Sequence, residues 1–198
     1  MRKRVSALLA AVLLCLLIGC APKSTPLPEN EHFPMDFLFS SGAGAWGTHL
    51  TLYSDGSFEG QFSDANMGET GKDHPNGTVY HCSFTGKFTM EEPLDIHSYP
   101  MTLTDVTIDP TTKPEEIVDG VLYVAAGPYG LYNDYMDGSV SRSFMLYAPT
   151  APVFGLDEEL LSWWPGNYEK NPPETLSCWA LWNVDGGTAF FTDMQIAN

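Results

Sequence analysis

Tyrosine and tryptophan rings are the side chains of this chain best suited to gripping a ligand. Tyr129, Tyr132 and Tyr135 recur at i, i+3 and i+6 in GPYGLYNDYMDG (127–138), and Trp163-Trp164 ends the apolar part of LDEELLSWWP (156–165). Such rings stack on sugars or hold hydrophobic ligands, and they equally seal a core beneath a long loop. Carboxylates are plentiful, so the paired acids of glycoside hydrolysis have raw material, but the sequence singles out no pair. Glu91-Glu92 and Glu115-Glu116 are adjacent and fall in predicted turns. Two acidic loops offer oxygen ligands: Asp64, Asn66, Glu69 and Asp73 in one, Asn133, Asp134 and Asp137 in the other. Flexible oxygen-rich loops suit Ca²⁺, although neither has the D-x-D-x-D-G spacing, and an acidic loop is also simply a solvated one. His32, His49, His74, His81 and His97 show no paired spacing for zinc. A Gly-x-Ser-x-Gly elbow, a His-Glu-x-x-His helix, a phosphate loop and a Cys-x-x-Cys are all missing from the sequence. His81 and Cys82 are neighbours in a strand pattern and so face opposite ways. The expectation is a non-enzymatic protein with no catalytic residues and no resident cofactor, Ca²⁺ being the one cation its loops could suit.

The N-terminus sets the compartment. Arg2, Lys3 and Arg4 form a basic head, and 7–19 is an apolar or small-residue run of 13 residues. A membrane span needs about 20, so head, short apolar middle and small-residue exit describe a secretory signal. The exit Leu17-Ile18-Gly19-Cys20 resembles the lipobox of bacterial lipoprotein precursors. That resemblance implies a thiol alkylated by diacylglyceryl, cleavage after Gly19, and an acylated Cys20 as the first mature residue. Such a protein is fixed to the membrane from the extracytoplasmic side, as part of the cell envelope. Two chains or more suffice for stable attachment. Cys15 leaves with the signal. Pro22, Pro26, Pro28 and Pro34 make 20–34 an extended tether, able to hold a domain about 40 Å from the lipid at ~3.1 Å per residue. The remainder, 35–198, is long enough for one domain with a sizeable core.

Removing Arg2, Lys3 and Arg4 with the signal leaves 6 Lys+Arg against 25 Asp+Glu, a net charge of −19. Such a surface repels nucleic acid and favours solubility, cations or basic partners. The partners expected are the membrane through its anchor, and a small molecule or an envelope protein. Two further cysteines, Cys82 and Cys178, enclose 95 residues. Either they form a disulfide, contributing about 4–5 kcal/mol by loop closure, or they are two buried thiols acting as small hydrophobes.

The elements that must carry these residues are strands. In TVYHCSFTGKF (78–88), Tyr80, Cys82, Phe84, Gly86 and Phe88 share one face while His81, Ser83, Thr85 and Lys87 share the other. Similar runs occupy 48–53, 57–62, 100–108, 120–126, 139–147, 175–184 and 188–194, with 35–39 as one more. Asp55-Gly56, Asn76-Gly77, Asp119-Gly120, Asp137-Gly138 and Asp185-Gly186 mark corners that accept positive φ. Two hairpins stand out, 50–62 and 178–191. About eight or nine antiparallel strands predict an all-β closed or partly open barrel, which hides its edges, with a two-sheet sandwich as the alternative. One short helix is predicted over 156–164: Asp157 caps it, Glu158 and Glu159 suit its N-terminal dipole, and Pro165 ends it. Leu156, Leu160, Trp163 and Trp164 give it one apolar face, predicted to cover a barrel opening.

GAGAWGTHLTLYSDGSF (42–58) resembles the first strand of a lipocalin-like (calycin) barrel. Gly44-Ala45-Trp46 is similar to that family's Gly-x-Trp, which implies that Trp46 plugs one barrel end. The resemblance further implies a basic residue lying across that tryptophan, a role open to Arg142, the only arginine of the mature chain. The leading functional reading is a binding module for a small hydrophobic or carbohydrate ligand. A structural or interaction protein of the envelope with a packed interior is the alternative, and a glycan-active enzyme the third. Cavity volume separates the first two.

Overall fold

In a computed structural model, which describes residues 33–134 and 139–192, period-two segments of the chain wind into a closed barrel. Strands β1 (Met35–Phe39), β2 (Trp46–Leu52), β3 (Ser57–Asn66), β4 (Thr78–Met90) and β5 (Ser98–Ile108) follow one another around the wall. After an excursion, β10 (Ser143–Tyr147), β11 (Ala180–Asn183) and β12 (Thr188–Phe191) complete it. Each strand is antiparallel to its neighbour in sequence, and β12 returns to β1 through Leu38 opposite Phe191. This is an eight-stranded up-and-down barrel, consistent with the lipocalin-like expectation and not with a sandwich. The strand that begins with Trp46 is the second of the barrel, because Met35–Phe39 pairs with it on one side and with β12 on the other.

Between β5 and β10 the chain adds β6 (Glu115–Val118), β7 (Val121–Ala125), β8 (Tyr132–Asp134) and β9 (Ser139–Val140). The β6–β7 hairpin lies outside the barrel, with β7 running parallel to the first residues of β4. Glu115 and Glu116, expected in a turn, are strand residues opposite Val124 and Tyr123. Asp119 and Gly120, both at positive φ, form the corner.

The barrel interior is full. Eight phenylalanines (37, 39, 58, 62, 84, 88, 144 and 190) and the aliphatics of the same strand faces make one buried cluster. An eight-stranded barrel is just wide enough for side chains to fill it. Two cross-strand pairs show how large rings fit: Phe58 lies opposite Gly86, and Gly60 opposite Phe84. A Cβ on either glycine would collide with the facing ring. The glycines give up side-chain volume where the rings need it, and they let this wall bend tightly.

A second cluster covers the outside. Ala180, Trp182, Ala189 and Phe191, the outward residues of β11 and β12, are buried under Ala151, Leu160, Trp164 and Leu176. The predicted helix is α1 (Glu158–Trp163), and the Asp157 carboxylate accepts the Glu159 N–H at 2.8 Å. It packs against β12 on the wall and does not close a barrel mouth, because its apolar face meets the outward faces of β11 and β12. Of the two readings of Cys82 and Cys178, the structure shows the buried thiols and no disulfide. Cys82 points into the barrel and Cys178 belongs to the outer cluster, so the wall separates the two thiols. Burial pushes the Cys82 thiol up to about 11, which keeps it protonated and inert.

Candidate functional site

The barrel has two ends of different character. Met35 enters at one, together with the β2–β3 and β4–β5 turns; Phe39 leads out at the other, the far end, where β1–β2, β3–β4 and β11–β12 connect. The segment after β7 crosses the far mouth and drives Leu131, fully buried, into the interior cluster. This loop, not the helix, is the stopper.

Three polar side chains hold it. Thr48, Asn183 and Thr188 occupy inward positions, in step with Leu50, Leu181 and Phe190, and all three are buried. The Thr48 hydroxyl donates to the Tyr129 carbonyl at 2.6 Å. The Asn183 amide donates to the carbonyls of Gly130 at 2.9 Å and Tyr132 at 3.0 Å, and its oxygen accepts the Gly186 N–H at 2.9 Å. The Thr188 hydroxyl donates to the same Gly130 carbonyl at 2.8 Å. The two bonds to the Gly130 carbonyl are buried and the others part-buried, and an unmet partner out of water is costly. Gly130 has φ +96°, and a Cβ there would lie 2.7 Å from the rings of Phe39 and Phe190.

The pinned loop delivers Tyr129 to an aromatic cluster. Its ring centroid is 5.2 Å from both Trp46 and Phe39, and 6.0 Å from Phe62. Trp46 meets Phe39 edge-on at 5.0 Å, and Trp163 meets Phe39 at 4.9 Å and Trp46 at 6.5 Å. These tilted and edge-to-face arrangements are the favourable ones for aromatic pairs. The Trp163 indole donates to the Gly187 carbonyl at 2.9 Å, which fixes the ring. Trp46, Tyr129 and Trp163 remain half-buried.

Two open cavities flank the cluster. One, about 370 Å³, is lined by Trp46, Phe62, Asp64 and Tyr129. Asp64 stands directly opposite Trp46 across β2 and β3, so its carboxylate borders the indole at the mouth. The other, about 460 Å³, lies between Ser40, Ser41, Ser162, Trp163 and Tyr168. A third and larger groove, about 500 Å³, runs along the outer wall past His49, Glu59, Gln61, Ser83 and Asp109. Most of its lining residues carry polar side chains, and Phe84, the aromatic residue in its lining, is buried with its ring turned to the barrel side of Gly60.

Of the residues singled out in the sequence, Tyr129, Trp163 and Trp46 come together. Trp164 does not; it is buried in the outer cluster, since adjacent residues at a helix end point to different sides. Tyr132 lies against Gly127 and anchors the stopper through its carbonyl. Tyr135 and Asp137 lie outside the described residues, as does Cys20. Arg142 is exposed at the start of β10, with its backbone N–H and that of Ser143 donating to the Asp185 carboxylate at 2.9 and 3.0 Å. These bonds hold the Asp185 carboxyl below the usual range. The rings around Trp46 are those of Phe39, Tyr129 and Trp163, and its cross-strand neighbour is Asp64.

The first acidic loop is tied to itself. The Glu69 carboxylate accepts from the Tyr80 hydroxyl at 2.9 Å and from the Asn66 amide at 3.2 Å, while Asp64 borders the aromatic cavity. Among the described residues no three or more His, Cys, Asp or Glu cluster as a metal site.

The fold and site define a lipocalin-like, up-and-down barrel with an aromatic far end. Compared with protein-family models, curated proteins and solved structures, the chain finds no match.

Proposed function

We propose that this chain is a lipoprotein of the cell envelope, acylated at Cys20, whose barrel presents a non-enzymatic carbohydrate-binding site at the far end. One observation carries the reading: Tyr129 and Trp46, half-buried and fixed by the stopper loop, wall a 370 Å³ cavity that also holds the carboxylate of Asp64. Sugar rings offer apolar C–H faces and a rim of hydroxyls, and an aromatic wall beside a hydrogen-bond acceptor matches both. Ser40, Ser41 and Ser162 continue that polarity into the neighbouring cavity, so a ligand of more than one sugar unit fits the pair. A hydrophobic ligand would leave these polar groups unmatched. A second reading, an envelope scaffold without ligand, draws support from the filled interior.

A thermal-shift panel of oligosaccharides and lipids separates them. A ligand at a hundred times its Kd stabilises by about 2.7 kcal/mol. Replacing Trp46 or Tyr129 by alanine is expected to weaken an oligosaccharide about tenfold, the loss of roughly one stacking contact. If no compound moves the melting temperature, the binding reading falls and the scaffold reading stands.

A further inference from the structure

The end of the barrel opposite the aromatic site carries its own message. Among the described residues, the large hydrophobic side chains without a polar group that are more than two-thirds exposed are Leu94 (70%), Ile96 (79%) and Phe154 (99%). Leu94 and Ile96 sit on the connection between β4 and β5, at the end where Met35 enters. Phe154 follows the segment that prolongs the β10–β11 ribbon past Tyr147 at that same end, through Val153 N–H to the Glu174 carbonyl and the Pro152–Thr175 bridge.

The Leu94–Ile96 turn is built, not loose. The Leu94 N–H donates to the Ser98 carbonyl at 2.9 Å, and the His97 N–H to the Asp95 carboxylate at 2.7 Å. His97 in turn accepts the Ala148 N–H on its carbonyl. A closed turn therefore holds two large aliphatic side chains in water. Apolar groups presented together in this way mark an interaction surface.

Where the chain enters decides the occupant. The proline-rich segment that ends at Pro34 joins the barrel at the same end as these tips, and 12 residues separate Cys20 from the first described residue. We propose that Leu94, Ile96 and Phe154 dock on the surface of the same bilayer that holds the anchor, which turns the aromatic end away from the membrane. This rests on the acylated-Cys20 reading. A chain already tethered sees the lipid at high effective concentration, so a few shallow contacts suffice.

The test uses the full lipidated chain in phosphatidylcholine vesicles. Ile96→Cys and Met67→Cys variants are each labelled with an environment-sensitive fluorophore; Met67 is 58% exposed at the far end, and the unsubstituted protein sets the labelling background. The expected result is a blue-shifted emission at position 96, quenched by nitroxide-bearing lipid, with position 67 unshifted. Equal, water-like emission at both sites on a protein whose intact mass shows the acyl chains overturns the docking alone. An unacylated Cys20 overturns docking and anchoring together. A blue shift at 96 that persists for the unacylated Cys20→Ser chain in buffer without vesicles means that a second copy covers the tips, and also overturns the proposal.

Discussion

The two ends of this barrel are made from the same alternating strands and are finished differently. At the entry end the β2–β3 corner is closed by the Asp55 carboxylate, which accepts from the Ser57 N–H and hydroxyl and from Lys87. At the far end the long excursion between β5 and β10 crosses the mouth, and inward strand positions carry Thr48, Asn183 and Thr188 instead of apolar residues. Those three bond a loop that could not otherwise bury its carbonyls. The difference shows how a barrel without room inside acquires a site: the phenylalanines take the interior, and the rings at the mouth become the available surface.

The sharpest way to break the contrast is Gly130→Val. Its positive φ and the closeness of Phe39 and Phe190 leave no space for a side chain. Left-handed strain with overpacking costs about 3 kcal/mol, which is read as a fall in denaturant midpoint at unchanged slope. Asn183→Ala comes next. It strips two carbonyls and one N–H of buried partners, a loss of about 2 kcal/mol, and it lets Tyr129 drift from Trp46. Chemical denaturation measures the first effect, and quenching of Trp46 fluorescence by acrylamide the second.

The smallest effect compares the two carboxylate-closed corners by pH. Hydrogen bonds from Ser57, with help from Lys87, lower Asp55 to about 2, and those from Ser143 and Arg142 lower Asp185. A depressed carboxyl adds stability above the ordinary carboxylate pKa, and loses it as pH falls through the folded value. Wild type should therefore lose stability between pH 4 and pH 2, with the loss at the Asp55 corner reaching down to about 2. Asp55→Asn and Asp185→Asn should each flatten part of that slope. Acid titration of the melting temperature shows it, and an unchanged slope in both variants contradicts the corner assignments.

Much of the wall could be read from the chain, because alternation in runs such as THLTLY and TVYHCSFTGKF reports a half-buried strand directly. The β2–β3 and β11–β12 hairpins follow from Asp-Gly corners. The excursion between β5 and β10 could be read only in part: the run 120–126 and the Asp119-Gly120 corner were legible, but Glu115–Val118 lacks alternation, and the parallel pairing of β7 with β4 joins residues distant in sequence. The helix was legible by its cap and its stripe, but a stripe does not say which surface it meets. At the site, Tyr129, Trp163 and Trp46 were visible as residue types, whereas Phe62 reads as an ordinary strand residue and Asp64 as a cation ligand. A signal for the stopper was present and easily passed over: Thr48, Asn183 and Thr188 are polar residues in step with Leu50, Leu181 and Phe190. A polar side chain on the inward parity of a strand asks for a partner inside.

The five tryptophans allow the most direct test, because each indole N–H gives its own resonance. Titrating an oligosaccharide found by the thermal panel into ¹⁵N-labelled protein should shift the signals of Trp46 and Trp163, at the far end, and leave Trp164 and Trp182, in the outer cluster, where they are. Shifts confined to the buried pair, or saturating binding that moves no indole, would contradict a site at the aromatic end of the barrel.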